Sequence, residues 1–79
     1  MAENSKTLTR PQMAQALRTW GGLNTLLRRV NEAQALQLLE EERSTRARHL
    51  YLIRLYGRYS TLRKHREKRE LLQLILSQN

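Results

Sequence analysis

Residues 46–79 read RARHLYLIRLYGRYSTLRKHREKRELLQLILSQN, and most of the expected architecture follows from them. At 100° per residue, the apolar side chains of their first half fall into one stripe on a helix. The members of this stripe are Tyr51, Leu52, Leu55, Tyr59 and Leu62. Because such a stripe needs a packing partner, we predict a long basic helix over 45–79 that lies on the preceding residues, with Gly57 as a candidate kink.

Residues 8–43 are expected to supply that partner as three short helices. A capping box of Thr9 and Gln12, with Pro11 in the first turn, marks the start of the first helix. We expect Gly21 and Gly22 to end it, because glycine accepts the left-handed conformation that stops a helix. The inward residues of this helix would be Met13, Ala16, Leu17 and Trp20.

The second and third helices are predicted from similar signals. The second should run over 23–29, with an inward face of Leu23, Leu26, Leu27 and Val30. Asn31 and Gln34 repeat the cap signature and open the third helix. The inward face of the third helix would be Ala35, Leu36 and Leu39.

The third helix should end near Ser44 and Thr45. Residues 40–42 are all glutamate and would lie at the negative end of the helix dipole, where acidic side chains are unfavourable. Because two weak helix formers follow, we predict a break with Thr45 as the cap of the long helix. The alternative is a continuous helix in which Arg43 and Arg46 pair with the glutamates.

The composition is typical of one all-α domain. The 79 residues include three glycines, one proline and no phenylalanine, and good helix formers dominate after Thr7. We expect a disordered tail over 1–7 and a single domain over 8–79, made of a neutral scaffold (8–43) and the basic helix (45–79). The chain has no cysteine, no signal-peptide core and no stretch able to cross a bilayer, which favours the cytoplasm.

The excess of positive charge is confined to the second half of the chain. Residues 1–42 carry five Lys or Arg against five Glu, and residues 43–79 carry ten against two, which gives the net charge of +8. A positive segment joined to a neutral one is typical of a scaffold that presents an anion-binding element. Arginine grips phosphate with a planar fork, whereas Tyr51 and Tyr59 are better explained as core residues because they belong to the packing stripe.

These features predict a nucleic-acid-binding regulatory protein, with DNA favoured over RNA, rather than an enzyme. The predicted phosphate contacts on the basic helix are Arg46, Arg48, Arg54, Arg58, Arg63, Lys64, Arg66, Lys68 and Arg69. Arg28 and Arg29 add a smaller signal, because 13–30 reads as helix, glycine turn, helix. A plain αα corner is favoured over a helix-turn-helix unit there, and only in the latter would Asn24 and Thr25 read bases. The alternative function is an inhibitor or adaptor that binds an acidic protein surface.

A last apolar segment points away from the predicted core. Its residues are Leu71, Leu72, Leu74, Ile75 and Leu76, and their centre lies roughly opposite the stripe. Either the helix bends within 63–70, or the segment contacts another molecule, most simply in a homodimer. Membrane association is disfavoured because the stripe is needed for the core. His49 and His65 are sixteen residues apart and have no Asp or Cys nearby to complete a coordination set, so neither a metal nor a cofactor is predicted.

Overall fold

The computed structural model of this protein describes residues 7–78, which form four α-helices. Their bounds are α1 Arg10–Leu17, α2 Trp20–Leu27, α3 Glu32–Ser44 and α4 His49–Ser77. The predicted all-α class is confirmed, and no strand occurs in the described part of the chain. Of the predicted tail over 1–7, all but Thr7 lies outside the described residues.

The start of α1 follows the sequence signal, but its end does not. Thr9 Oγ1 accepts from the Gln12 N–H at 3.2 Å and Gln12 Oε1 accepts from the Thr9 N–H at 2.8 Å, which confirms the capping box. The predicted stop at the two glycines is wrong, because α1 ends at Leu17 and both glycines lie in the first turn of α2. Thr19 in extended conformation caps α2 by accepting from the Gly22 N–H at 3.0 Å, and neither glycine has a positive φ.

This earlier start of α2 also changes the position of Trp20. The sequence placed its side chain in the core, whereas the indole is 45% exposed. As the first residue of α2 it lies at the edge of the fold, with its ring against Tyr51 at a centroid distance of 5.3 Å and an angle of 74°. The predicted inward role of Trp20 is therefore wrong.

The core lies between α3 and α4, with α1 and α2 closing its end. α3 is the main partner of α4, α2 touches α4 more lightly, and α1 packs on α2 and α3. The buried apolar residues are Leu8, Met13, Ala16, Leu17, Leu23, Leu27, Val30, Ala35, Leu38, Leu39 and Leu55. The predicted stripe of α4 packs around Leu55. Leu38 was missed from the inward face of α3, and Leu36, which was assigned to it, is only half-buried.

The predicted break after the glutamates is confirmed, but its cap is different. α3 ends at Ser44, and α4 begins at His49 with Arg48 at the N-cap. Thr45 does not cap α4, because its hydroxyl donates back to Glu41 O at 2.7 Å. Ala47 makes the turn with a left-handed φ of 50°, and its N–H donates to Glu42 O at 2.7 Å.

α4 is long enough to extend beyond the rest of the fold. Its 29 residues run through Gly57 without interruption, and at 1.5 Å per residue they span about 43 Å. Every described residue from Glu67 onward is exposed. The C-terminal third of α4 therefore packs on nothing within residues 7–78.

Candidate nucleic-acid interface

The turn between α3 and α4 is built around a buried carboxylate. Glu42 is fully buried, and its Oε2 accepts from the N–H and Nε of Arg48 at 2.9 and 2.8 Å. Its Oε1 accepts from Arg48 Nη2 at 2.9 Å, and the same nitrogen donates to Leu17 O at 2.7 Å. These hydrogen bonds from Arg48 hold the pKa of the Glu42 carboxyl below its ordinary value. The pair thereby ties the C-terminal ends of α1 and α3 to the start of α4.

Arg48 is covered by an aromatic ring as well. Its guanidinium carbon lies 3.5 Å from the centroid of the Tyr51 ring, which in turn contacts Trp20. A cation over a ring face is attracted by the negative charge of that face. Arg48 was predicted to contact phosphate. Its guanidinium group is instead occupied by contacts with other residues of the chain.

A second predicted phosphate contact, Arg66, also pairs with carboxylates. Its Nε and Nη2 donate to the two oxygens of Glu32 at 2.7 and 3.1 Å, and its Nη1 donates to Glu70 at 3.2 Å. The hydrogen bond from Arg66 lowers the pKa of Glu32, and the two carboxylates raise the pKa of Arg66. Because Glu32 begins α3, this pair fastens the middle of α4 to the scaffold.

Three of the other predicted arginines meet in one groove between the end of α2 and the first half of α4. The groove has a volume of about 330 Å³. We term it the arginine groove, and it is lined by Leu27, Arg28, Arg54, Gly57, Arg58 and Thr61. None of these residues is acidic, so every charge in the lining is positive.

Two of the groove arginines are anchored by one nitrogen only. Arg54 Nε donates to Asn24 Oδ1 at 2.6 Å, and Arg58 Nε donates to Leu27 O at 2.9 Å. Asn24 is itself held by a bond from its Nδ2 to Trp20 O at 2.9 Å. The Nη groups of both arginines have no hydrogen-bond partner within residues 7–78. Each guanidinium is thus fixed at its base with its two terminal nitrogens left to bind an anion.

The remaining predicted residues lie outside this groove. Arg63 is half-buried, with its guanidinium carbon 5.6 Å from the Tyr59 ring centroid. Arg29 lines a separate surface hollow between α1 and α2. The other predicted contacts are exposed, and they are Arg46, Lys64, Lys68 and Arg69.

The sequence predicted the three groove arginines as phosphate contacts, but it did not predict that they lie together in one groove. Arg54 and Arg58 are four residues apart and were expected on one face, yet nothing in the sequence places Arg28 beside them. Asn24 was considered only as a base reader, whereas it positions Arg54. Thr61 was overlooked, although its spacing of three residues from Arg58 was a usable signal.

The described residues contain no group of three or more His, Cys, Asp or Glu side chains arranged to hold a metal. His49 and His65 are both exposed on α4. Among helices of residues 7–78, none has the length and apolar character needed to span a membrane.

No family model, no curated protein and no solved structure matches this chain.

Proposed function

We propose that this protein binds nucleic acid, with duplex DNA as the preferred partner, and that the arginine groove grips its phosphates. The observation that carries the proposal is the anchoring of Arg54 and Arg58 by Nε, with both terminal nitrogens of each fork unpaired within residues 7–78. A guanidinium group that is already held in place loses less conformational entropy on binding phosphate than a freely rotating guanidinium group does. Arg28 adds a third positive charge to the same groove.

Polar and basic side chains continue the surface along α4 beyond the groove, with Lys68 as the next positive charge. Arg54, Thr61 and Lys68 follow at seven-residue intervals, so they lie on one flank of the helix. Arg58 and His65 repeat the same interval beside them. This flank is long enough to follow several phosphates of a duplex, since an α-helix rises 1.5 Å per residue and each base pair adds about 3.4 Å.

The test compares two double variants that remove the same charge. Arg28→Ala/Arg54→Ala removes two groove arginines, and Arg10→Ala/Arg43→Ala removes two exposed arginines from α1 and α3 that do not line the groove. Affinity for a duplex is measured by fluorescence anisotropy across a salt series. We expect the groove variant to lower the slope of log K against log salt by about 1.8, because each phosphate contact contributes about 0.9.

The control variant should keep the wild-type slope, with a smaller loss of affinity from its lower net charge. Equal losses in the two variants would show that only net charge matters and that the groove is not the contact. If the wild-type protein bound no duplex at low salt, the proposal would fail, and the adaptor that binds an acidic protein surface would take its place.

A further inference from the structure

One side of α4 faces away from the core and has no partner within residues 7–78. We term it the outer face and define it by the residues that lie within about 60° of one line along the helix. They are His49, Ile53, Tyr56, Gly57, Ser60, Lys64, Glu67, Leu71, Leu74 and Ile75. The apolar members are 48–56% exposed, which is a large unpartnered apolar surface for so small a fold.

Two opposite charges of the outer face, Lys64 and Glu67, can pair with those of a reversed copy, and these pairs offset part of the repulsion between the two basic 63–70 segments. The centre of the outer face, between residues 65 and 66, has Lys64 on one side and Glu67 on the other. If a second helix runs antiparallel about this centre, Lys64 faces Glu67 of the second copy, and symmetry forms the reverse pair as well. In a parallel pair, Lys64 would face Lys64 and Glu67 would face Glu67, which is repulsive.

The sizes of the side chains match in the same register. Ser60, a small, half-buried residue whose hydroxyl is covered within its own chain, lies opposite Leu71 of the second copy, and Tyr56 forms an apolar pair with Ile75. Gly57, near Ser60, has nothing within 4 Å of the position its Cβ would occupy, so the first half of the face has room for a large side chain. In this register Leu71 and Leu74 of the second copy lie opposite Ser60 and Gly57, so large side chains meet small residues at these two positions.

We propose that a second copy of this chain covers the outer face, so that two α4 helices pack antiparallel with reciprocal Lys64–Glu67 pairs. The scaffold does not obstruct this contact, because it packs around Leu55, on the opposite side of α4. Leu72 and Leu76 lie more than about 100° from the centre of the outer face and therefore outside the contact. The paired helices bury the apolar ends of the outer face, which a monomer leaves in water.

The proposed dimer goes beyond the proposed function, since it concerns α4 alone. It also has a consequence for the arginine groove, which lies on a flank of α4 roughly 110° from the outer face. The two-fold axis of an antiparallel pair keeps equivalent flanks on the same side. The two grooves therefore open on one side of the dimer, with their centres offset by roughly 25 Å along the helix axis.

The first test reverses charges and measures the dimerisation constant by sedimentation without nucleic acid. Lys64→Glu and Glu67→Lys each replace two attractive pairs by two repulsive ones, and we expect each to weaken the dimer roughly tenfold. The double variant Lys64→Glu/Glu67→Lys should recover wild-type dimerisation. Both residues are exposed, and circular dichroism confirms that each variant keeps its helix.

The second test determines whether the two α4 helices run antiparallel or parallel. Because the chain has no cysteine, single cysteines can be introduced for cross-linking. Ser60→Cys and Leu71→Cys are made as separate variants and oxidised alone or as an equal mixture. In the antiparallel register, only the mixture gives a cross-linked dimer, because the two copies of either position lie roughly 16 Å apart along the axis. Cross-linking of either variant alone would overturn the antiparallel register.

The third test separates this contact from one made by the helix tips. Leu76→Ser should leave the dimer constant unchanged, whereas Leu74→Ser should weaken it by tenfold or more, at roughly the loss expected for a large buried apolar side chain. The opposite order would mean that the last leucines bind one another instead. A wild-type chain that stays monomeric at high concentration overturns the proposal and leaves the outer face to a different protein. None of these outcomes depends on whether the arginine groove binds phosphate.

Discussion

Glu42 shows how one buried side chain decides whether a nearby arginine is available to bind phosphate. It pairs with Arg48 at the N-cap of α4 and so removes that arginine from the set of candidate phosphate ligands. Three consecutive glutamates point in different directions on a helix, so the sequence suggests intramolecular pairing without saying which of them is buried. Position 42 is the inner one because it faces Arg48 at the start of α4, which also binds Leu17 O at the end of α1.

Glu42→Gln should destabilise the protein. The amide keeps the size of the side chain but loses the charge that holds three nitrogen donors of Arg48, so we expect the free energy of unfolding to fall by about 2–3 kcal/mol. Urea denaturation followed by circular dichroism measures the loss. Glu40→Gln, an exposed neighbour on the same helix, makes the same charge change and should stay within about 0.5 kcal/mol of wild type.

The difference in stability between the wild-type protein and Glu42→Gln should depend on pH, and the pKa shift of Glu42 fixes the direction. The pKa of Glu42 is lower in the folded chain than the ordinary value of 4.5, so its contribution to stability is fully present above that value. As the pH falls through the lower folded pKa, this contribution is lost. The gap between wild type and Glu42→Gln should therefore shrink from about pH 6 to about pH 3. A gap that stays constant over this range would mean that the Glu42 charge does not stabilise the fold.

At the scale of the helices, the turn between α1 and α2 shows the limit of glycine as a stop signal. The sequence treats Gly21 and Gly22 as equivalent, whereas the structure gives them different surroundings. A Cβ on Gly22 would lie 3.0 Å from Thr19 Oγ1 and 3.2 Å from Ala16 O, and one on Gly21 would meet nothing within 4 Å. Gly22 is therefore required by the close approach of α1 and α2, and Gly21 is not.

Two alanine substitutions should consequently have opposite effects. Gly21→Ala should stabilise the protein by about 0.5 kcal/mol, because alanine costs less backbone entropy in a helix. Gly22→Ala should destabilise it by about 1 kcal/mol, because the backbone carbonyl of Ala16 must move to admit the methyl group. Thermal unfolding distinguishes them, with a shift of roughly 4–8 °C per kcal/mol for a domain of this size. Equal shifts in one direction would contradict the difference in packing.

Capping boxes in the sequence located two of the four helix starts, those of α1 and α3. The caps at Thr9 and Asn31 are confirmed, because a capping box depends only on residues three apart. The end of α1 and the start of α4 depend instead on contacts between distant residues, such as the bond from Arg48 to Leu17 O. The stripe around Leu55 was predictable because helical period alone places it. The arginine groove was not, because Arg28 reaches it only through the packing of α2 on α4.

At the scale of the whole molecule, binding of a duplex to the arginine groove and formation of the proposed dimer should strengthen each other. A chain with a net charge of +8 repels a second copy, and this repulsion opposes the antiparallel pair. A bound duplex neutralises part of that charge and favours the dimer. By linkage, the dimer then binds the duplex more tightly than the monomer does, because its second groove binds at a high effective concentration.

This coupling predicts a dependence on duplex length. Two grooves offset by roughly 25 Å along α4 require at least about eight base pairs to be occupied together, at 3.4 Å per pair. DNA hairpins with stems of roughly 6 and 16 base pairs are compared by anisotropy across a salt series. For the wild-type protein, the longer stem should give about twice the slope of log K against log salt, because two grooves contact phosphates instead of one. Leu71→Ser/Leu74→Ser, which leaves the arginine groove intact, should lose most of this difference. If the variant keeps the full difference, both grooves cannot be acting together through the α4 pair.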